Sequence, residues 1–135
     1  MKIADYLETR AHTDLWSIRP EETLLAFADN LREHKVGALT VLDENGTLVG
    51  IASERDLVAA FAEHGGATVT MTVADFMTRE VITCAPEDDI LEILEMMNSR
   101  GFRHIPVMKS GQPLTMIGIR EFDVACRELK ELAST

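Results

Sequence analysis

The sequence predicts an α/β (α+β-like) chain of two pseudo-twofold-related β-α-β-β-α repeats, and two observations carry that prediction. The first is an internal repeat. Pro20-Glu21-Glu22-Thr23-Leu24, followed by Phe27, Ala28 and Leu31, returns without a gap as Pro86-Glu87-Asp88-Asp89-Ile90, followed by Ile93, Leu94 and Met97. Gly37-Ala38-Leu39-Thr40-Val41 continues in register against Arg103-His104-Ile105-Pro106-Val107. A loop one residue shorter in the second copy then sets Gly50 against Thr115, Ser53 against Gly118, Arg55 against Arg120 and Asp56 against Glu121. The second observation is the junction Gly50-Ile51-Ala52-Ser53-Glu54-Arg55-Asp56-Leu57. Val49 and Ile51 alternate as in a buried strand, Ser53 precedes Asp56 by the capping-box spacing, and an apolar-periodic helix follows from Leu57. A serine that caps a helix and an acid that answers it need no ligand, so this spacing alone is also compatible with a purely structural turn.

At 135 residues the chain can bury a moderate core as one compact domain, whereas each half alone would leave a sheet face uncovered. Packing the halves across a pseudo-twofold axis leaves a crevice where the equivalent sheets meet. The formal net charge of -10 argues against nucleic acid or an anionic membrane surface as the main partner, although local arginines can still focus a small anion. Met1 to Leu7 lacks a continuous apolar run and no spanning segment is visible, so a soluble, cytoplasmic protein is expected. The two cysteines, Cys84 at a strand end and Cys126 in an amphipathic helix, have neither the density nor the neighbours of a disulfide scaffold or metal site. Core or semi-buried thiols are expected, with a bridge as the lesser alternative.

In chain order, Ile3, Tyr6 and Leu7 share one face of a short amphipathic helix whose polar exit is Arg10 to Asp14. Leu15 to Arg19 reads as a short strand. Pro20 is placed at the first position of a helix, where its missing donor costs least, with Glu21 and Glu22 in the favourable first turn. That helix runs to His34 with Leu24, Phe27, Ala28 and Leu31 as its apolar stripe. Ala38 to Leu42 and Leu48 to Ala52 form a hairpin about Asp43-Glu44-Asn45-Gly46. Gly65-Gly66 ends the first repeat, and Val73 to Met77 is a short helix in which Asp75-Phe76-Met77 echoes Asp5-Tyr6-Leu7. Val81 to Cys84 reads as a strand, Pro86 to Ser99 as a helix, and Ile105 to Met108 with Leu114 to Ile117 as a hairpin about Ser110-Gly111. Pro106 fits that hairpin only at an edge or bulge. Glu121 to Leu132 closes the chain as a helix with Phe122, Ala125, Cys126 and Leu129 on its buried side.

Enzyme chemistry finds little support. His12, His34, His64 and His104 are scattered without metal-ligand spacing, and no nucleophile turn stands beside any of them. His104 is the best candidate for leaning over the crevice or bonding across a dimer. Ser53 lacks a glycine elbow and an assigned base. Glu21-Glu22 and Asp88-Asp89 are explained by helix starts, and Met71, Met77, Met96, Met97, Met108 and Met116 by gap filling in the core. Trp16 either caps the core or stacks on a ligand base.

Gly-Ile-Ala-Ser-Glu-Arg-Asp at positions 50 to 56, Asp75-Phe76-Met77-Thr78 before the second strand and Arg103-His104-Ile105-Pro106-Val107 together resemble a paired cystathionine-beta-synthase (CBS) domain, or Bateman module. The resemblance covers essentially the whole chain, as repeats 1–66 (with the N-terminal helix) and 67–135. It implies a regulatory, non-catalytic module that senses the adenine nucleotides AMP, ADP or ATP in inter-repeat clefts and alters a regulated partner protein or its own oligomeric state. The alternative is a structural homodimerisation module with empty clefts or with another adenosyl ligand such as S-adenosylmethionine. On the family pattern Asp56 holds ribose hydroxyls, Ser53 reaches phosphate, and Ser17, Ile18, Ala38 and Leu39 surround the base. Thr83, Cys84, Ile105 and Pro106 are the second-cleft counterparts. Arg55 either supplies a guanidinium to phosphate or is a surface residue, and Arg103 and Arg120 are the second-repeat candidates. The second repeat departs from the pattern, with Gly118 lacking the hydroxyl and Glu121 replacing Asp, so the first cleft is expected to bind more tightly. The resemblance and four long amphipathic helices also imply a C2 homodimer through helices beginning near Pro20, Leu57, Pro86 and Phe122.

Overall fold

The structure, a computed structural model, describes residues 1–10 and 14–134; His12 and the side chains of Ala125, Cys126 and Leu129 lie outside the described residues. The elements are α1 (Ile3–Thr9), β1 (Ser17–Ile18), α2 (Leu24–His34), β2 (Ala38–Leu42), β3 (Leu48–Ser53), α3 (Glu54–His64), a 3-10 segment (Gly65–Thr70), α4 (Val73–Phe76), α5 (Ile90–Arg100), β4 (His104–Lys109), β5 (Gln112–Gly118) and α6 (Ile119–Ser134). They form two compact units, Trp16–Val81 and Met1–Leu15 with Ile82–Thr135. The N-terminal helix, grouped with the first repeat by sequence order, therefore shares a unit with the second repeat.

In the unit Trp16–Val81, β1 pairs parallel with β2 and β2 pairs antiparallel with β3, placing Ala38 beside Ser53. The Asp43 carboxylate accepts the Asn45 and Thr47 N–H groups and closes the hairpin, with Gly46 at φ 78°. Ile18, Phe27, Leu31, Leu39, Val41, Ala52, Val73 and Met77 make the core. Phe27 is fully buried, and its ring meets Phe76 edge-on at 5.2 Å.

The other unit repeats this plan. His104 pairs with Gly118 as Ala38 does with Ser53, and each hairpin carries a register irregularity at the same place, after Val41 and after Val107. Ser110 and Gly111 both take left-handed φ, 52° and 77°, as a tight two-residue hairpin turn requires. Ile3, Cys84, Ile90, Ile93, Met97, Ile105, Val107, Ile117 and Phe122 form its core.

Two expectations need correction. Neither Pro20 nor Pro86 opens a helix. Thr23 caps α2 by accepting the Ala26 N–H, and Asp89 caps α5 by accepting the Glu92 N–H. The carbonyls of Pro20 and Glu22 instead accept the Ala74 and Val73 N–H groups of α4, and those of Pro86 and Asp88 accept Ala4 and Ile3 of α1. The exposed donors of two short helix starts thus recruit the proline turns. The strand expected at Val81 to Cys84 is also reduced, to a single parallel bridge between Cys84 and Val107. In the first repeat the Thr40 N–H donates to the Trp16 carbonyl and holds β1. Pro106 occupies the matching position and has no N–H to give.

Candidate functional site

The strand-to-helix junction of the first repeat forms the capping box its spacing predicts. The Ser53 N–H and hydroxyl donate to Asp56 Oδ2 at 2.9 and 3.1 Å, and the Asp56 N–H donates to Ser53 Oγ at 3.3 Å. Both residues are half-buried at the end of β3. Among the described residues Asp56 Oδ1 receives no protein hydrogen bond, so one carboxylate oxygen remains available. The serine hydroxyl proton is committed to Asp56, and a ligand phosphate could take it only by breaking that bond.

The flanking candidates divide by burial. Ile18, Ala38 and Leu39 are buried in the sheet while Ser17 is exposed at its margin. Arg55 is exposed on the first turn of α3. Trp16 packs against the core and its indole stacks on the His34 ring at 3.9 Å.

The second repeat keeps the cap but spends its acid differently. Glu121 Oε2 accepts the Gly118 N–H at 2.9 Å, replacing the Ser53–Asp56 contact. Its Oε1 accepts the Tyr6 hydroxyl at 3.1 Å and Arg10 Nε at 3.0 Å, with Arg10 Nη2 at 2.8 Å. Arg10 also donates to Thr115 Oγ1 and to the Met116 carbonyl, and the Thr115 hydroxyl donates to the Asp14 carbonyl. Thr83, Arg103 and Arg120 are exposed, and Ile105 and Pro106 are buried. Sequence reasoning treated Tyr6 as apolar and Arg10 as a polar exit, and it missed Thr115 as a hydrogen-bonding group. Only the pairing of Thr115 with Gly50 in the repeat hinted at the difference.

Burial, then the Glu121 charge, pushes the Tyr6 phenol up from 10.0 to about 12. Burial and the Asp88 charge likewise raise the buried Cys84 thiol to about 12. Both shifts favour the protonated form in the folded chain, so their stabilisation is complete below the unfolded values and disappears as pH rises through the folded ones. Tyr6 is the sole tyrosine, and its phenolate absorbance should titrate with a midpoint near 12 in the folded protein and near 10 in denaturant. Stability should fall across that window. A folded-state midpoint at the free value would remove Tyr6 from this half-buried contact with Glu121.

Among the described residues no group of three or more His, Cys, Asp or Glu could hold a metal ion, and no helix is long and apolar enough to cross a membrane. A protein-family model for the CBS domain matches residues 3–63 and 73–121. An uncharacterized 17.7 kDa protein of Acidianus ambivalens is 31% identical over 112 residues, 82% of this chain and 66% of its own length. The chain spans about half to two-thirds of the length of the first curated relatives it matches. Among solved structures, the CBS-domain-containing protein ATU1752 of Agrobacterium tumefaciens is 32% identical with a TM-score of 0.88, covering 93% of this chain and 99% of that one. The CBS domain pair of protein MJ0100, solved with 5'-methylthioadenosine and S-adenosyl-L-methionine, shares the fold at a TM-score of 0.83 and 20% identity, covering 95% and 97%. The duplicated hairpins, the matched junctions and the family match over both repeats lead to one conclusion: the chain belongs to the CBS-domain family, as a tandem pair.

Proposed function

We propose that the chain is a regulatory module, without catalysis of its own, in which repeats 1–66 and 67–135 serve the sensing of an adenosyl ligand at the Ser53–Asp56 turn. The observation that carries this reading is the half-buried Asp56 carboxylate, held in place by the Ser53 cap with Oδ1 still open. Vicinal ribose hydroxyls are two donors that suit such an acceptor. Ser17, Ile18, Ala38 and Leu39 are proposed to border the base, with Thr83, Ile105 and Pro106 as their second-repeat counterparts.

Within the adenosyl class, two considerations favour a ligand such as S-adenosylmethionine over AMP, ADP or ATP. The Ser53 proton is already committed to Asp56, and a chain of net charge -10 attracts a sulfonium and repels a polyphosphate. The MJ0100 pair, which holds 5'-methylthioadenosine and S-adenosyl-L-methionine, shares this fold. Nucleotide binding would instead draw on Arg55 at the helix start, with Arg103 and Arg120 in the second repeat. Calorimetric titration of ligand-stripped protein with S-adenosylmethionine, 5'-methylthioadenosine, AMP, ADP and ATP at fixed ionic strength decides between them. Silence for all five removes the sensing reading and leaves a structural module.

The same proposal includes a homodimer. Leu25 on α2 and Val58 and Phe61 on α3 are 73%, 67% and 65% exposed, and Leu91 on α5 and Val124 on α6 are also exposed. Apolar side chains on the helices expected to dimerise are accounted for by a second copy. Light scattering should report a dimer through the micromolar range, and replacing Phe61 and Val58 by Glu should yield the monomer. A parent protein that is monomeric with and without ligand would end this assignment.

A further inference from the structure

We propose that Arg10 is an internal occupant of the second repeat's polar turn, closing by its own guanidinium the acid that corresponds to Asp56. The inference rests on reading the two turns as adenosyl-ligand sites. Arg10 comes from the exit of α1, distant in sequence from Glu121, and its side chain is only 11% exposed. Its Nε and Nη2 both address Glu121 Oε1, Nη1 meets the Thr115 hydroxyl at 3.1 Å, and Nη2 meets the Met116 carbonyl at 3.2 Å. Tyr6 is a second residue donating to Glu121 Oε1, and the Gly118 N–H donates to the remaining carboxylate oxygen. Two guanidinium N–H groups converging on one carboxylate oxygen make charge-assisted bonds that neutral ribose hydroxyls do not displace on equal terms.

The unit Trp16–Val81 keeps the capping acid but lacks the three side chains that surround it here. Phe76 stands where Tyr6 does and has no hydroxyl, Gly50 stands where Thr115 does, and Glu80, counted on from the shared Asp75, stands at the position of Arg10. A glutamate there brings no donor. The aromatic hydroxyl, the guanidinium and the threonine thus occur together in the unit Met1–Leu15 with Ile82–Thr135, and their counterparts in the unit Trp16–Val81 are Phe76, Glu80 and Gly50. The extra methylene of Glu121, read from sequence as a weaker ribose ligand, lets one carboxylate cap α6 and hold Arg10 together. The protein accordingly takes one adenosyl ligand per chain, and availability of the second turn is tied to the placement of Arg10.

Adenosine is the probe, since Gly118 offers no hydroxyl to a phosphate. It is titrated calorimetrically into the parent, Arg10→Met, Glu121→Ala and the double variant, with melting temperatures measured for all four. Met keeps the packing of the arginine stem and removes the charge. The parent should bind one equivalent per chain, folded Arg10→Met two, and the double variant one. The melting losses of the two single variants should not add, because each removes the same pair. Two equivalents in the parent, with one lost in Glu121→Ala, overturn the proposal, as does a folded Arg10→Met that still binds one. If no protein binds adenosine, the adenosyl reading has failed, and the melting data judge the latch alone: additive losses overturn it, and a double variant no less stable than the weaker single supports it.

Discussion

Asp56→Ala is expected to weaken adenosyl-ligand binding by about one to two powers of ten, about 1.5–3 kcal/mol, the scale of hydrogen bonds to a charged group. The variant also loses the acceptor for the Ser53 N–H, and a lost cap costs about 1 kcal/mol of stability by itself. Asp56→Asn separates the two effects, because an amide oxygen can still accept the Ser53 N–H while the negative charge is gone. If ribose recognition needs the carboxylate, Asn should bind nearly as poorly as Ala yet melt closer to the parent. Glu121→Ala should leave the first turn's affinity nearly unchanged, since Glu121 is engaged by Arg10, Tyr6 and Gly118. Ser53→Ala should weaken phosphate-bearing ligands more than adenosine if the hydroxyl swings to phosphate, and both alike if it serves only as the cap. Should Glu121→Ala abolish binding while folded Asp56→Ala binds normally, the nucleoside belongs to the second turn and the assignment is reversed.

Gly50→Ala should destabilise the protein by about 1–3 kcal/mol, the usual cost of forcing extra atoms into a packed core. A Cβ on Gly50 would lie 2.8 Å from Met77 Sδ and 3.0 Å from the Thr78 carbonyl oxygen. The thioether can turn aside. The carbonyl cannot follow easily, because Thr78 and Ile51 exchange both backbone hydrogen bonds at 3.0 and 2.9 Å. A melting temperature several degrees below the parent, with ligand affinity retained, is the expected outcome. Installing the second repeat's residue, as Gly50→Thr, should be worse still. The second repeat accommodates Thr115 because α1 continues as helix to Thr9 instead of leaving a strand-like pair at that place, and the hydroxyl is used by Arg10 and Asp14. An unchanged melting temperature for Gly50→Ala would mean that the Met77–Thr78 segment yields to the added methyl group.

The sequence by itself determined the features that depend on neighbours a few residues apart. The duplicated Pro20 and Pro86 stretches established the repeat, the Ser53–Asp56 spacing became a capping box, and the Asp43-Glu44-Asn45-Gly46 and Ser110-Gly111 stretches became hairpin turns. Such contacts are set by residue type and local geometry, so spacing alone reveals them. The reduction of the second repeat's first strand was also written there, since Pro106 faces Thr40 in the alignment and only Thr40 has an N–H to hold a parallel neighbour. Tertiary structure alone decided where the proline turns spend their carbonyls and how each acid is used. Glu121 and Asp56 differ by one methylene in sequence, but their environments differ by Arg10 and Tyr6, which approach Glu121 from more than a hundred residues away. No periodicity encodes that meeting. It follows from α1 laying its first two N–H donors on the Pro86–Asp88 turn, which carries Tyr6 and Arg10 to an acid the local pattern had left open.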